Sequence, residues 1–298
     1  MMVLEDLVGE EEEESKFYGM VQRFLEIDIL QKTDAKFLFV LRGAPAAFAN
    51  ALRRIIVSEV PVMAIDDVVI IENSSSMYDE ILAHRLGLIP IKTDLDSYIL
   101  PKDCTCKSEL GCPKCRVTLT LDVEATDGIR TVYSSELKSE NPDISPVSGD
   151  IPLLKLASDQ KIKLECYAKL GIGKDYAKWQ PISACTYRYY PKISINAAIC
   201  DACGKCVEAC PKKILHAKDK KIQIENALLC NICGECIKEC PKDKAGIDIK
   251  PEENVFIFYV ESTGSLLPER LLTEAATILK KKSDNFIELL NQKESSAE

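Results

Sequence analysis

Two cysteine-rich segments with matching sequences constrain this chain more than any other feature. They read ICDACGKCVEACP at residues 199–211 and LCNICGECIKECP at residues 229–241. Both have the spacing C-x2-C-x2-C-x3-C followed by proline, and both carry a glycine directly after the second cysteine. A tight loop with this spacing brings three thiolates to one face of an iron–sulfur cubane, and glycine adopts a positive φ there without steric cost. The repeat therefore predicts eight iron–sulfur ligands.

The fourth cysteine of each segment is expected to ligate the cluster of the other segment, as it does in two-cluster ferredoxins. We therefore predict two [4Fe–4S] clusters. The predicted ligands are Cys200, Cys203, Cys206 and Cys240 for cluster 1, and Cys230, Cys233, Cys236 and Cys210 for cluster 2. Two zinc sites or idle thiols are the alternatives, and the double repeat disfavours both. The segment resembles bacterial-type two-cluster ferredoxins over about residues 193–250, which predicts an inserted ferredoxin-like domain.

A third cysteine group lies in the stretch CTCKSELGCPKC at residues 104–115. Two close pairs of thiolates across a short loop can complete the tetrahedron of a structural zinc site, although a metal-free loop also fits the pattern. Catalytic zinc is disfavoured, because four cysteines leave no open coordination position. The candidate zinc ligands are Cys104, Cys106, Cys112 and Cys115.

The remaining two of the fourteen cysteines are Cys166 and Cys185, and both lie in strand-like runs. We predict that they are buried free thiols, with a disulfide between them as the alternative. Of the two histidines, His84 has no carboxylate or cysteine constellation around it, and His216 lies among lysines. Both are therefore expected to be structural or surface residues.

Composition excludes several classes of protein. Hydrophobic residues make up 46% of the 298 residues, which is enough for a sizeable core in two or three domains. No apolar run approaches 18 residues and the N-terminus is acidic, so we expect neither a membrane span nor a signal peptide, and a cytoplasmic location. Clustered cysteines in a reducing compartment indicate metal. A net charge of −9 argues against a protein whose main task is to bind nucleic-acid phosphates.

Hydrophobic periodicity predicts an α+β protein around the cysteine repeat. A helix is predicted after Pro45, because Phe48, Leu52 and Ile55 recur on one face. The other predicted helices cover residues 78–88 and 268–291, and the predicted strands cover residues 24–30, 37–41, 62–71, 117–125, 161–170, 182–190 and 255–260. Residues 1–15, which contain five consecutive glutamates, are predicted to be a disordered acidic tail. No nucleophile or phosphate-binding motif occurs, so no catalytic residue is predicted.

Several motifs outside the cysteine repeat resemble the RNA polymerase α-like family. The stretch FANALRRIIVSEVP at residues 48–61 is similar to the assembly motif of that family, and the match continues at residues 64–66, 80–90 and 260–266. A ferredoxin-like insertion is a feature of some archaeal D-type members, the counterparts of bacterial α and of the third-largest subunit of eukaryotic RNA polymerase II. The eukaryotic relative has a zinc loop where this chain has residues 104–115, but the middle gap is longer here.

The resemblance implies a domain organisation. It consists of a discontinuous α-like dimerisation domain at residues 16–60 and 251–292, a mainly β second domain at residues 61–192, and the ferredoxin-like iron–sulfur domain at residues 193–250. The implied role is assembly: a non-catalytic subunit of DNA-directed RNA polymerase that pairs with the small subunit L. That heterodimer would be the platform for the large catalytic subunits.

The resemblance also implies which residues contact partners. The interface residues so implied are Phe48, Leu52, Arg53, Arg54, Ile55 and Arg85. The three apolar residues, with the C-terminal helix, are expected to face subunit L, and the three arginines to face a large subunit. No direct DNA contact is expected, because the catalytic magnesium and the DNA channel belong to other subunits. The alternative hypothesis is an electron-transfer subunit of an oxidoreductase, which the cysteine motifs alone would favour.

Overall fold

The computed structural model describes residues 25–106, 108, 111–242 and 245–294. The predicted acidic tail at residues 1–15 lies outside these ranges. The chain divides into two compact units. Unit 1 comprises Met1–Leu30, Phe39–Ala49 and Tyr187–Phe258, and unit 2 comprises Gln31–Leu38, Asn50–Thr186 and Tyr259–Glu298.

Helices and strands alternate irregularly along the chain, which confirms the predicted α+β class. The strands are β1 (Glu26–Lys32), β2 (Lys36–Arg42), β3 (Val62–Asn73), β4 (Arg116–Glu124), β5 (Arg130–Tyr133), β6 (Lys138–Ser139), β7 (Pro152–Leu156), β8 (Lys161–Gly171), β9 (Ile182–Ile195), β10 (Leu215–Lys218), β11 (Lys221–Ile224) and β12 (Ile247–Ser262). The helices are α1 (Ala46–Ser58), α2 (Asp79–Gly87), α3 (Lys205–Ala209), α4 (Glu235–Lys238) and α5 (Pro268–Glu294). None of the helices in the described ranges is long and apolar enough to cross a membrane.

One four-stranded sheet has the order β1-β2-β12-β9. The predicted strand pair at its start is present, and the backbone N–H of Thr33 donates to the carbonyl of Lys36 at 2.8 Å in the turn between β1 and β2. Within unit 1, the rings of Phe39 on β2 and Phe258 on β12 stack with centroids 5.1 Å apart. Burial of these aromatic side chains supplies apolar contact area between the two neighbouring strands.

A second four-stranded sheet lies within unit 2 and has the order β3-β8-β4-β6. Strand β4 alternates as the sequence predicted: Val117, Leu119, Leu121 and Val123 are buried. Strand β8 pairs antiparallel with β3 on one side and with β4 on the other. The apolar face of this sheet packs with α2 and β7 in one large core. This core gives the region a rigid frame.

The cysteine repeat folds around the β10–β11 hairpin, α3 and α4, all within unit 1. Its core is small and is built from cysteines and a few aliphatic residues, including Ile214, Leu215, Ile222 and Ile247. The hairpin was not expected from the sequence, because its lysine-rich segment KDKK hides the alternating pattern of so short a strand pair.

The long helix α5 changes character along its length. Leu271 and Ala275, near its start, are buried in unit 2. From residue 280 to residue 292 every side chain is exposed. The exposed side chains include four large apolar ones, Phe286, Ile287, Leu289 and Leu290. The second half of α5 is therefore an amphipathic helix with an uncovered apolar side.

Candidate metal centres

The loop at residues 104–115 brings its four cysteine sulfurs together. All four Sγ atoms lie within 4.8 Å of one another. The Sγ atoms are 3.7 Å apart for Cys104 and Cys112, and 3.8 Å apart both for Cys106 and Cys115 and for Cys112 and Cys115. A tetrahedral zinc ion with Zn–S bonds of about 2.3 Å has sulfurs separated by about 3.8 Å. The donor set and its spacing therefore fit one tetrahedral zinc ion.

Local backbone structure positions these sulfurs. Gly111 has a φ of +84°, and a Cβ there would meet the Sγ of Cys115 at 3.1 Å. The backbone N–H of Cys112 donates to the same sulfur at 3.1 Å. Burial raises the pKa of Cys115 to about 12, whereas the backbone N–H of Lys114 lowers the pKa of Cys112 to about 7. Zinc binding would hold both sulfurs as thiolates and release protons.

In the repeat, Cys200, Cys203, Cys206 and Cys240 line one cavity, named site 1 here. Its walls include Ile195, Ile222 and Ile247. Asp201 and Lys242 also line site 1, where they form an ion pair with an N–O distance of 2.7 Å. These four cysteines are the set that the sequence assigned to cluster 1, so the structure brings that set together.

A second cavity, named site 2, is lined by Cys210, Cys230, Cys233 and Cys236. Its apolar walls are formed by Ile214, Leu215 and Ile249. The fourth cysteine of the first segment thus lies with three cysteines of the second segment. This exchange is the one that the spacing predicted for two-cluster ferredoxins.

The two cysteine loops share an unusual backbone. Gly204 and Gly234 have φ values of +84° and +77°, which supports the role predicted for glycine after the second cysteine. Ala202 and Ile232, two positions earlier, both have a φ of +57°. Such values are uncommon for residues with a side chain, and alternation of this kind turns successive N–H groups toward an anion. The sequence gives no sign of the Ala202 and Ile232 conformations.

The spacing of these eight sulfurs differs from that of the zinc-like loop. Among the residues that the structure describes, only the four cysteines at residues 104–115 form a group whose ligand atoms all lie within 4.8 Å of one another. A cubane is larger than a single ion, so its ligands stand farther apart around an apolar cavity. Burial raises the pKa of Cys206, and raises that of Cys236 to about 11. The donor set, the cavities and the turned N–H groups fit iron–sulfur clusters better than two zinc ions.

The predicted interface residues do not form one exposed face. Leu52 and Ile55 are 7% and 4% exposed within this chain, and Phe48 is half-buried. Arg53 donates to the side-chain oxygen of Asn50, at 3.0 Å from Nη2, whereas Arg54 is exposed.

The third arginine of the predicted interface, Arg85, is also engaged within the chain. Its guanidinium donates to the backbone carbonyls of Pro152 and Leu153, at 2.6 Å and 3.0 Å, and so ties α2 to β7 within unit 2. Two of the five N–H donors of this exposed guanidinium are therefore used inside unit 2.

The remaining two cysteines and the two histidines do not form a metal or catalytic site. Cys166 and Cys185 are buried and carry free thiols, as predicted. Burial raises their pKa values to about 12 and about 11. His84 is exposed, and the Nε2 of His216 lies 2.9 Å from a carboxylate oxygen of Glu225 on an exposed hairpin. None of these residues belongs to a further site.

One residue that contacts the Cys230 turn of site 2 is not among the site residues predicted from the sequence. Arg188 on β9 donates to the carbonyl of Cys230 at 2.8 Å and also to the carbonyl of Leu228. A single arginine in a strand carries no signal in the sequence, because its contact depends on how the chain folds back.

Comparison with family models matches two parts of the chain. Residues 66–184 match the model described as RNA polymerase Rpb3/RpoA insert domain. Residues 192–241 match the model described as 4Fe-4S dicluster domain. The first match covers most of the large core of unit 2 and the second covers both cysteine loops. The chain therefore combines a polymerase-type domain with an iron–sulfur binding domain.

Whole-chain relatives agree with this combination. The chain is 42% identical to DNA-directed RNA polymerase subunit Rpo3 of Methanosphaera stadtmanae, over 91% of this chain and 100% of the relative. It is 44% identical to the Rpo3 of Methanothermobacter thermautotrophicus over 88% of this chain and 98% of the relative. The Rpo3 of Archaeoglobus fulgidus is 42% identical over 90% of this chain and 98% of the relative. The chain belongs to the Rpo3 family of archaeal DNA-directed RNA polymerase subunits, which are D-type members of the α-like family.

Proposed function

We propose that this non-catalytic polymerase subunit pairs with the small subunit L through the second half of α5, and that the pair is the platform for the large catalytic subunits. Membership of the Rpo3 family makes the chain part of a nucleotidyltransferase complex. The matches extend over most of the chain, so an electron-transfer subunit of an oxidoreductase is not favoured.

The exposed half of α5 carries this proposal. Residues 280–292 are helical, yet all their side chains are exposed. Phe286, Ile287 and Leu290 lie on one side of the helix, and Leu279 lies on the same side two turns before Phe286. Isolated helical segments of this length are marginal in water, and an uncovered apolar stripe is typical of a protein interface. A partner that covers this stripe would bury its apolar side chains and stabilise the helical segment.

Helix α1, whose residues Phe48, Leu52 and Ile55 are predicted to face subunit L, also belongs to the proposed interface. Because Leu52 and Ile55 are buried within the chain, they mainly hold α1 in place. Arg54 remains exposed and lines a surface cleft with Arg53 and Lys174. Glu59 and Lys282 also line this cleft and are ion-paired with each other, so its unpaired lining charges are positive. We propose that this basic cleft contacts an acidic surface of a large subunit. Arg85 contributes more to holding α2 on β7 than to such a contact.

A pair of substitutions on α5 tests the interface with L. Leu290→Asp places a charge on the apolar stripe, and Asn285→Asp places the same charge on the other side of the helix. We expect Leu290→Asp to abolish co-purification of L and of the large subunits, and Asn285→Asp to leave both unchanged. Retention of L by Leu290→Asp at the wild-type level would place the interface elsewhere.

The cysteines have structural roles in this proposal. Site 1 and site 2 would each hold one [4Fe–4S] cluster through four thiolates, and the loop at residues 104–115 would hold one zinc ion. The clusters would supply the cross-links that the small core of the repeat lacks. Bound clusters would also orient the N–H groups of both loops and exclude water from the apolar walls of the cavities.

Metal analysis of anaerobically purified protein tests this assignment. We expect about eight iron atoms and about one zinc ion per chain, with the EPR signals of two [4Fe–4S] clusters after reduction. The Cys206→Ser variant should retain about four iron atoms, because only site 1 loses a ligand. Recovery of zinc instead of iron in the repeat, or of about eight iron atoms in the variant, would overturn the assignment.

A further inference from the structure

The Arg188 side chain joins strand β9 to the turn that leads into Cys230, the first cysteine of the second cysteine segment. Its Nη1 atom donates to the carbonyl of Cys230 at 2.8 Å, and its Nη2 atom donates to the carbonyl of Leu228. The planar guanidinium thus spans two carbonyls that are two residues apart. A bidentate contact of this kind fixes orientation as well as distance.

The clamped turn determines where the Cys230 sulfur lies. The backbone N–H of Cys230 donates to the carbonyl of Ala227 at 3.0 Å, and Asn226 before it has a φ of +54°. Cys230 itself is buried and lines site 2. A shift of the Leu228 or Cys230 carbonyl would therefore move a predicted cluster ligand.

Strand β9 offers Arg188 a firm base. The neighbouring side chains Tyr187 and Tyr189 pack on the ring of Phe256, with centroids 5.4 Å and 5.0 Å apart. Because side chains alternate along a strand, Arg188 projects from the face opposite these tyrosines. The aromatic contacts hold the strand while the guanidinium reaches the turn.

The first cysteine of site 1 is held differently. The backbone N–H of Cys200 donates to the carbonyl of Asn196 at 2.9 Å, and the Asn196 N–H donates to the carbonyl of Gly246 at 2.9 Å. Asn196 directly follows the end of β9, so this loop is tied to the strand by the main chain. The Cys230 turn has a main-chain bond of the same kind, but its tie to β9 is made by the Arg188 side chain.

We propose that Arg188 is a positioning residue for site 2, which holds the Cys230 turn in the geometry that retains a cluster there. This inference rests on the proposal that each site binds one cluster. Cluster retention at the two sites should therefore differ in its dependence on Arg188. Loss of the guanidinium loosens site 2 and leaves site 1 unaffected.

The test measures iron release from the anaerobically purified full-length chain to a ferrous chelator. In Arg188→Gln we expect about half of the iron to leave about tenfold faster than in the wild type, because charge-assisted hydrogen bonds to two carbonyls are lost. Arg188→Lys should give an intermediate rate, since an ammonium group can reach one of the two carbonyls. Arg42→Gln is the matched control: Arg42 is bonded to Asp28 at 2.9 Å and lies over the ring of Tyr190, so it is another arginine of unit 1 whose bonding partner is not a cysteine turn.

A second background identifies the site. In Cys206→Ser, where only site 2 is expected to hold iron, Arg188→Gln should accelerate release of all the iron. Equal acceleration of both halves, or wild-type rates in Arg188→Gln, would overturn the role of Arg188 while leaving the two-cluster proposal intact. A wild-type chain with only about four iron atoms would instead refute the two-cluster proposal, and this inference with it.

Discussion

The large core of unit 2 and the small core of the cysteine repeat are built from different materials. The first contains 22 buried residues, 21 of which are aliphatic side chains or methionine and one of which is Cys166. The second contains seven buried residues, and three of them are the predicted ligands Cys206, Cys230 and Cys236. One region has enough apolar side chains to fold by burial. In the other region, predicted metal ligands occupy core positions that apolar side chains would otherwise fill.

This difference explains how one chain can combine the two regions. Apolar burial stabilises a fold in proportion to area, and a segment of about 60 residues buries too little area for much stability of its own. Metal or cluster binding adds folding free energy, because the unfolded chain has no preformed site. We therefore expect the two regions to respond to opposite treatments.

Removal of the clusters should have the largest effect and should be confined to the repeat. After anaerobic chelation of iron, amide hydrogen exchange at residues 199–247 should approach that of an unfolded chain, because the buried thiols then lose their common partners. Amides of β4 and β8 should remain protected in the same sample and serve as the internal control. Persistent protection of α3, α4 and the β10–β11 hairpin would show that the repeat folds without metal.

A cavity in the large core should have the reverse effect. Leu164 on β8 is 1% exposed, and Leu164→Ala should lower the free energy of unfolding of this region by about 2–5 kcal/mol. Iron content should not change. Its neighbour Lys163, which is ion-paired with Asp122 at 3.3 Å on the surface, provides the control, since Lys163→Ala should cost less than about 1 kcal/mol. Chemical denaturation followed by circular dichroism measures both, and equal effects would contradict the assignment of the core.

The sequence predicted the parts of this comparison that depend on local patterns. The alternation from Val117 to Val123 predicted a strand. The repeated cysteine spacing predicted two sites that each combine cysteines of both segments, and each set lines one cavity. The burial of Leu52 and Ile55 within this chain could not be read from the sequence, because a helical stripe looks the same whether it faces its own chain or a partner. The positive φ of Ala202 and Ile232 was not visible, because neither residue type indicates it. The contact of Arg188 was not visible either, because it joins segments that are distant in the sequence.

The metal site at residues 104–115 is formed by one short loop, so its removal should affect little beyond that loop. Cys115 is buried, but it is not part of the large core. Cys115→Ser should remove the zinc from the chain, leave the iron content unchanged and lower the stability of unit 2 by about 1–3 kcal/mol, because only the loop loses its cross-link. Metal analysis with thermal denaturation checks both. The absence of zinc from the wild-type protein would identify the loop as metal-free.

The two remaining cysteines give the smallest effect and separate thiols of the core from thiols of the metal sites. Burial raises the pKa of Cys166 to about 12 and that of Cys185 to about 11, so at pH 8 almost none of either thiol is in the reactive thiolate form. Raising the pH to 9 should therefore leave both unmodified by iodoacetamide in the folded protein. Peptide mass spectrometry should detect full modification of both after unfolding without reductant.

A disulfide between Cys166 and Cys185 would block modification in the unfolded protein as well, and so would contradict the free thiols seen here. Chelation of the metals supplies the contrast. It should expose the cysteines of site 1 and site 2 to the reagent, because their protection depends on the clusters, whereas Cys166 is protected by the same aliphatic side chains that hold β8 in place. Thiol reactivity measured before and after chelation thus distinguishes a cysteine that is buried in an apolar core from a cysteine that is protected by a cluster.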